Sequence, residues 1–272
     1  GDVMTDINKI YVGEKPRIAV DYAGSGPLVM FLHGVGFSRL DWHDQIADFA
    51  PHFTAAAWDA RGHHGSDDYD GPYNFSDVCE DLVRVLDRFG SERTHLVGHS
   101  MGGRCVLEFQ SRFPDRVKSV TFAGTSAKRE APISDAERAA RRARRVDPLL
   151  RGGLDLRHFA EENAKRYLAA GASEDLFARV VDRLIAVRRE SYAKTLDTIV
   201  TYTDYPDYAD VRAPCLVITG AQDPQATPDF ARWTAERIPG ARLVIVADSG
   251  HMVNMEQSAA FSAAVLDFVQ EC

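Results

Sequence analysis

Short, largely apolar runs are the feature that most restricts how this chain can fold. Three of them are Leu28–Leu32, Thr54–Trp58 and Cys215–Thr219. Runs of this length without polar alternation are typical of strands buried on both faces, as in parallel sheets. Helical patterns alternate with the runs, as in the amphipathic segment that ends at Gly90. The alternation predicts an α/β fold, in which helices cover both faces of a mostly parallel sheet.

Eight candidate strands can be placed along the chain. They are Ile10–Val12, Arg17–Tyr22, Leu28–Leu32, Thr54–Trp58, Thr94–Val97, Val117–Phe122, Cys215–Thr219 and Leu243–Val246. Between the sixth and the seventh, helical patterns replace the strand-like runs, for example at Leu156–Ala170. We therefore predict a core formed by residues 1–124 and 211–272. Residues 125–210 are predicted to form an inserted helical cap.

Two other predicted helices bear on function. One begins at Asp41, a residue type that caps helix N-termini, and runs to Phe49. The other lies in the cap and carries alanines on one face and arginines on the opposite face, at Arg138, Arg141, Arg142 and Arg145. We predict that the arginine face is solvated. The alternative is a basic rim that guides anionic substrates.

The segment Thr94–Gly103, THLVGHSMGG, joins a predicted strand to a predicted helix through a Gly-x-Ser-x-Gly pattern. In a nucleophile elbow of this pattern, the serine lies on a strained turn with its hydroxyl exposed. Glycines are favoured there because the strand and helix backbones pass too close for side chains. The helix N-terminus also directs N–H groups toward a developing oxyanion. Ser100 is therefore the candidate nucleophile.

Polar residues follow several predicted strands, and such positions share one edge of a parallel sheet. Ser100, Asp223 and His251 are among them, in the order nucleophile, acid, base. His251 would accept the serine proton, and Asp223 would fix the imidazole tautomer. Asp248 and Glu256 compete with Asp223 for the role of the acid, because both lie close to His251 in the sequence.

The motifs HGVG, GHSMGG, WDARGHHGSD, TGAQD and DSGHMVNMEQ occur in the order and spacing of α/β-hydrolase motifs. On these residues the chain resembles the α/β-hydrolase family over essentially its full length, and it is most similar to the 3-oxoadipate enol-lactonase-like hydrolases. The resemblance implies an oxyanion hole formed by the backbone N–H groups of Val35 and Met101. Candidate residues for the substrate pocket are Gly34, Gly36, Trp42, Arg104 and Met252.

Several of these residues also have a purely structural interpretation. Trp42 and Met252 fit an ordinary core position equally well, and Arg104 fits a solvated or ion-paired one. His33 is predicted to brace the oxyanion loop rather than to act in catalysis. His64 stands where the motif usually has glycine, and the sequence alone offers no physical account of it.

Composition and charge exclude several classes of function. The net charge of −8 argues against a broad nucleic-acid or anionic-membrane surface. No apolar run approaches the ~20 residues needed to span a bilayer, and the first residues lack a secretory signal pattern. Four scattered cysteines, Cys79, Cys105, Cys215 and Cys272, then predict a cytoplasmic protein with buried free thiols. We expect no metal, no cofactor and no partner beyond a small-molecule substrate, in a monomer or homodimer.

The preferred hypothesis is a serine hydrolase that cleaves an ester or lactone of a small organic substrate, carboxylated or aromatic-derived. One alternative is hydrolysis of a carbon–carbon bond in a ring-fission-type diketone by the same three residues. A second alternative is a non-catalytic, ligand-binding homologue. Ser100 disfavours dehalogenase or epoxide hydrolase activity, because those relatives carry a carboxylate at the elbow, while cofactor-free oxygen chemistry stays open.

Overall fold

A computed structural model describes residues 5–151 and 153–272. Its strands are β1 Asn8–Val12, β2 Ile18–Ala23, β3 Leu28–Leu32, β4 Thr54–Trp58, β5 Thr94–His99, β6 Val117–Ala123, β7 Cys215–Gly220 and β8 Arg242–Val246. They form one sheet in the order β1-β2-β4-β3-β5-β6-β7-β8. The β1–β2 and β2–β4 pairs are antiparallel and the other neighbouring pairs are parallel. The predicted eight-stranded, mostly parallel sheet is confirmed.

Helices connect the parallel strands and also fill the segment between β6 and β7. They are α1 His43–Phe49, α2 Phe75–Arg88, α3 Met101–Arg112, α4 Asp135–Arg145, α5 Asp147–Arg151, α6 Leu156–Tyr167, α7 Glu174–Ile185, α8 Arg189–Thr201, α9 Pro228–Arg237, α10 Val253–Glu256 and α11 Ser258–Gln270. Of the helices in the described residues, none has the length and apolar character that crossing a membrane requires.

The sheet has a buried apolar layer on each face, because successive residues of a strand point to opposite sides. Met30 of β3 packs with residues of α2, α3 and α9. Phe31, the next residue, packs with residues of α1 and α11. Cys79, Cys105 and Cys215 are free and buried, as predicted, whereas Cys272 is free and partly exposed.

The helix predicted to begin at Asp41 does not begin there, because α1 begins at His43 and the 3₁₀ turn that leads into it begins at Arg39. A 3₁₀ turn, Arg39–Trp42, precedes α1, and Ser38 caps it. The Ser38 hydroxyl accepts a hydrogen bond from the Leu40 N–H at 3.2 Å, and the Asp41 carboxylate accepts one from the Ser38 N–H at 2.9 Å. This reciprocal capping box fixes the start of the helical segment.

The prediction that the arginine face of α4 is solvated holds for Arg142 and Arg145, which are exposed, and is wrong for Arg138 and Arg141, which are half-buried against α8. Arg142 forms an ion pair with Asp197 at 2.5 Å. Arg138 and Arg141 donate to the Thr201 and Val200 carbonyls at 3.5 and 3.2 Å. Carbonyls at a helix C-terminus attract cations. The alanine face is exposed instead, with the exception of half-buried Ala140.

Candidate active site

Ser100 lies at the turn between β5 and α3, with φ 54° and ψ −114°. A positive φ is strained for a residue with a Cβ atom. The turn is possible because Gly98 and Gly102 surround it. A Cβ at Gly98 would collide with the Gly102 carbonyl, and one at Gly102 with the Leu32 carbonyl. The geometry is that of the predicted elbow. Ser100 lines a cavity that is also lined by residues of α4, α6 and α8, in the helical segment between β6 and β7 that the sequence predicts to be a cap.

His251 and Asp223 meet at the same edge of the sheet, after β8 and β7. The His251 Nδ1 lies 2.9 Å from Asp223 Oδ2. The other oxygen, Oδ1, accepts from the N–H groups of Gln225 and Ala226 at 2.8 and 3.0 Å. The Asp223 side chain is fully buried. These contacts fix the carboxylate, so it holds the imidazole in one orientation with Nδ1 protonated.

The competing acids do not contact the His251 ring. Asp248 is exposed, with φ 55°, and belongs to the turn that follows β8. Glu256 accepts hydrogen bonds from the N–H groups of Ala169, Gly250 and Met252 at 2.7–3.1 Å. Glu256 therefore shapes the loop that carries His251, and burial raises the pKa of its carboxyl group.

Val35 and Met101 line the cavity beside Ser100, at the positions that the elbow motif assigns to an oxyanion hole. The Met101 N–H is the first of α3 and so has no intrahelical acceptor. Among the described residues, no backbone acceptor pairs with the Val35 N–H. Both N–H groups therefore remain candidate donors to an oxyanion formed next to Ser100.

His33 supports the loop that carries Val35. Its Nδ1 donates to the Gly34 carbonyl at 2.6 Å, and its Nε2 accepts from the Ala60 N–H at 2.9 Å. Burial lowers the pKa of His33 to about 4, which keeps the ring neutral and suits both bonds. This placement agrees with a bracing role, since His33 lies outside the residues that line the cavity.

His64, which the sequence left without explanation, joins the same loop to the cap. Its Nε2 lies 2.9 Å from the Gly36 carbonyl, to which it donates. Its own carbonyl accepts from Arg188 Nη1 at 2.6 Å, at the start of α8. Arg188 also pairs with Asp68 at 2.9 Å. The backbone φ of His64 is 38°, the conformation in which the motif favours glycine.

We expect His64→Gly to lower kcat about fivefold with little change in KM. The lost hydrogen bond contributes about 1 kcal/mol to the position of the oxyanion loop, while glycine keeps the positive φ. His64→Asn also tolerates this φ, yet its side chain is too short to reach Gly36, so it should lose the same activity. Steady-state kinetics on a cleaved ester tests this, and unchanged kcat in both variants would contradict it.

Two residues that the sequence analysis missed clamp the backbone of His251. His99 Nε2 donates to the His251 carbonyl at 2.6 Å, and the His251 N–H donates to the Tyr167 carbonyl at 2.7 Å. Burial lowers the pKa of His99 to about 3, so the ring is neutral. The position of His99 inside GHSMGG was a signal for it. Tyr167, at the end of α6, lies in a cap without motifs.

Buried neutral histidines predict a loss of stability in mild acid. Burial lowers the pKa of His33 and His95 to about 4, and that of His99 to about 3. The unfolded chain takes up these protons near pH 6.5, whereas the folded chain does not. The free energy of unfolding should therefore be unaffected by these groups above about pH 6.5 and fall as pH decreases toward about 4. The expected slope is about 1.4 kcal/mol per pH unit for each histidine.

Urea unfolding at pH 7, 6 and 5 measures this slope. His95→Gln should reduce it by the share of one histidine, because burial lowers the pKa of His63 and His64 as well and these groups stay in place. His52 is exposed, so His52→Gln is the matched control and should keep the slope of the wild type. A free energy of unfolding that does not change between pH 7 and pH 5 would contradict the prediction that buried neutral histidines destabilise the fold in mild acid.

The catalytic cavity, defined as the space lined by Ser100, His251 and their neighbours, has a volume of about 50 Å³. Of the predicted pocket residues, Gly34 and Arg104 line it. Trp42 does not, because it is buried in the core and stacks on Phe31 at 4.9 Å between ring centroids. Met252 does not line it either, because it is buried among residues of α6 and α7. The pocket predictions for Trp42 and Met252 are therefore wrong.

Gly36 faces α7 and α8 of the cap rather than the cavity. A Cβ atom there would lie 2.9 Å from side-chain carbons of Leu184 and Tyr192. In the ranges 5–151 and 153–272, no cluster of three or more His, Cys, Asp or Glu side chains could hold a metal ion.

A model described as the alpha/beta hydrolase family matches residues 29–264. The chain belongs to the alpha/beta hydrolase family. The match covers β3 to α11 and therefore includes Ser100, Asp223 and His251. The fold and the recognition made from the motifs are both confirmed for this α/β-hydrolase.

Three proteins illustrate its relatives. It is 29% identical to 3-oxoadipate enol-lactonase 2 of Acinetobacter baylyi, over 91% of this chain and 92% of the relative. It is 26% identical to the 2-hydroxy-6-oxononadienedioate/2-hydroxy-6-oxononatrienedioate hydrolase of Burkholderia vietnamiensis, over 97% and 94% of the two chains. The crystal structure of the enol-lactonase from Burkholderia xenovorans LB400 is similar with a TM-score of 0.81 at 25% identity, over 97% and 100%.

Proposed function

We propose that this α/β-hydrolase cleaves an ester or lactone bond of a small organic substrate through an acyl-enzyme on Ser100. The observation that carries the proposal is the buried Asp223–His251 pair, whose histidine lines the same cavity as Ser100. A serine hydroxyl is a weak nucleophile without an adjacent base. The similarity to enol-lactonases supports the choice of an ester or lactone bond.

In the proposed reaction, Ser100 Oγ attacks the carbonyl carbon while His251 Nε2 accepts the hydroxyl proton. The resulting oxyanion is stabilised by the N–H groups of Val35 and Met101. Collapse breaks the bond to the leaving oxygen, which takes the proton from His251 and leaves an acyl-enzyme. Water, activated by His251, then attacks the acyl carbon, and the acid is released with Ser100 regenerated. Asp223 stabilises the imidazolium in both steps.

A fluorophosphonate probe tests the nucleophile, and a screen of small lactones and esters tests the reaction. We expect one equivalent of label, located on Ser100 by peptide mass spectrometry, and turnover of at least one lactone or ester. A folded sample that is neither labelled nor active would overturn the proposal. Labelling elsewhere would overturn the assignment of Ser100.

Hydrolysis of a carbon–carbon bond is the second candidate, because the 2-hydroxy-6-oxononadienedioate hydrolase matches nearly the whole chain. There His251 would act as a proton shuttle between substrate and water. Assays of a small lactone and of a ring-fission diketone on the same preparation separate the two. A larger kcat/KM for the diketone would favour the second candidate.

A further inference from the structure

The catalytic cavity adjoins a second, larger space, with which it shares lining residues. This cap cleft, lined by residues of α4, α5, α6 and α8, has a volume of about 430 Å³. Arg145, Tyr167 and Leu196 line both spaces. A substrate that reacts at Ser100 would fill the small cavity and extend past these three side chains into the cap cleft.

Both spaces are positively charged, in a protein whose net charge is −8. Arg104 and Arg145 line the catalytic cavity, and no aspartate or glutamate is among the described residues that line it. Arg144, Arg145 and Arg166 line the cap cleft. Glu162, the acidic side chain among the described residues that line it, forms an ion pair with Lys165 at 3.2 Å. Clustered charge of one sign in a cleft attracts ligands of the opposite sign.

Arg145 differs from the arginines around it in its contacts with the part of the chain that the structure describes. Arg142 and Arg144, on the same helix, lie 2.5 Å and 3.9 Å from the carboxylates of Asp197 and Glu137. Arg104 donates to the Tyr205 hydroxyl at 2.7 Å. For Arg145, no hydrogen bond or ion pair to any described residue exists. Its guanidinium is available to a ligand at the junction of the two spaces.

We propose that the cap cleft is the subsite for a carboxylate-bearing arm of the substrate, and that Arg145 binds the carboxylate. The inference rests on the proposed function only for the position of the reacting bond at Ser100. A guanidinium binds a carboxylate through two parallel N–H donors, which gives direction as well as charge. The carboxylate would displace water from the side chain without breaking an existing ion pair.

Two matched esters test the subsite: the monomethyl ester of adipic acid, and its counterpart in which the free carboxyl is a carboxamide. Arg145→Met should raise KM for the first about tenfold or more and change KM for the second less than twofold. Arg157→Met is the control, because Arg157 is an exposed cap arginine that lines neither space. It should leave both values unchanged at 150 mM salt, where exposed charges are screened.

Direct binding of adipate, measured by calorimetry, decides the question without turnover. Wild type and Arg157→Met should bind it equally, and Arg145→Met about tenfold more weakly. An equal rise in KM for both esters in Arg145→Met would overturn the subsite and leave the proposed function standing. Adipate binding that is weakened by Arg104→Met but not by Arg145→Met would do the same. Failure of folded wild type both to cleave any ester or lactone and to take up the fluorophosphonate label would overturn the proposed function, and the adipate titration would still decide the subsite.

Discussion

Ser100→Ala should lower kcat on a cleaved ester by about 10⁶-fold while leaving ligand binding intact. Losing the nucleophile of a serine hydrolase has an effect of that order. The residual rate comes from the oxyanion donors of Val35 and Met101, whose N–H groups do not depend on the serine side chain. Alanine fits the turn sterically as serine does, so the fold should be retained.

Steady-state kinetics measures the loss, and thermal unfolding confirms that the variant is folded. Ser126, which also lines the catalytic cavity, provides the control, because Ser126→Ala removes a hydroxyl from the same space without removing the proposed nucleophile. It should retain kcat within an order of magnitude. Undiminished turnover in Ser100→Ala would show that another group is the nucleophile.

Asp223→Asn should lower kcat about 10⁴-fold with little change in the fold. Oδ1 accepts two backbone N–H bonds, from Gln225 and Ala226, so the amide oxygen must occupy that position. The amide NH₂ group is then directed at His251 Nδ1. An N–H donor there selects the tautomer with the proton on Nε2, which cannot accept the Ser100 proton. The same tautomer change in serine proteases has an effect of about 10⁴-fold.

Asp248→Asn is the control for this prediction. Asp248 lies close to His251 in the sequence but is exposed, and its replacement should leave kcat within twofold. Steady-state kinetics of the two variants, with binding of a product acid as a measure of site integrity, tests the assignment. A large loss of kcat in Asp248→Asn, with kcat retained in Asp223→Asn, would show that Asp248 is the acid.

Strands were predictable where local pattern alone determines structure. The bounds of β3 and β4 agree with their prediction because a strand buried on both faces needs only a short apolar run. The start of the helical segment was wrongly predicted because Ser38 and Asp41 are both capping residue types. Ser38, whose hydroxyl also donates to Asp59, caps the 3₁₀ turn that precedes α1. The prediction of a solvated arginine face failed for Arg138 and Arg141 because they donate to carbonyls at the end of α8.

The candidate site was also predictable only in part. Motif order placed Ser100, Asp223 and His251 at one edge, because parallel strands bring their C-terminal loops together. Trp42 and Met252 were misplaced because sequence does not distinguish a large apolar residue that faces a cavity from one that faces the core. Contacts between distant segments, such as His251 with the Tyr167 carbonyl, have no local pattern.

The contact between His251 and Tyr167 limits how freely this cap can be exchanged. A Cβ at Gly250 would collide with the Tyr167 carbonyl, so the last turn of α6 presses directly on the loop that holds the histidine. Grafting a cap from another hydrolase would then change not only the shape of the pocket but also the position of the base. A functional chimera must reproduce the path of the chain at Tyr167–Leu168, and transplants that ignore it should fail in turnover even when they fold.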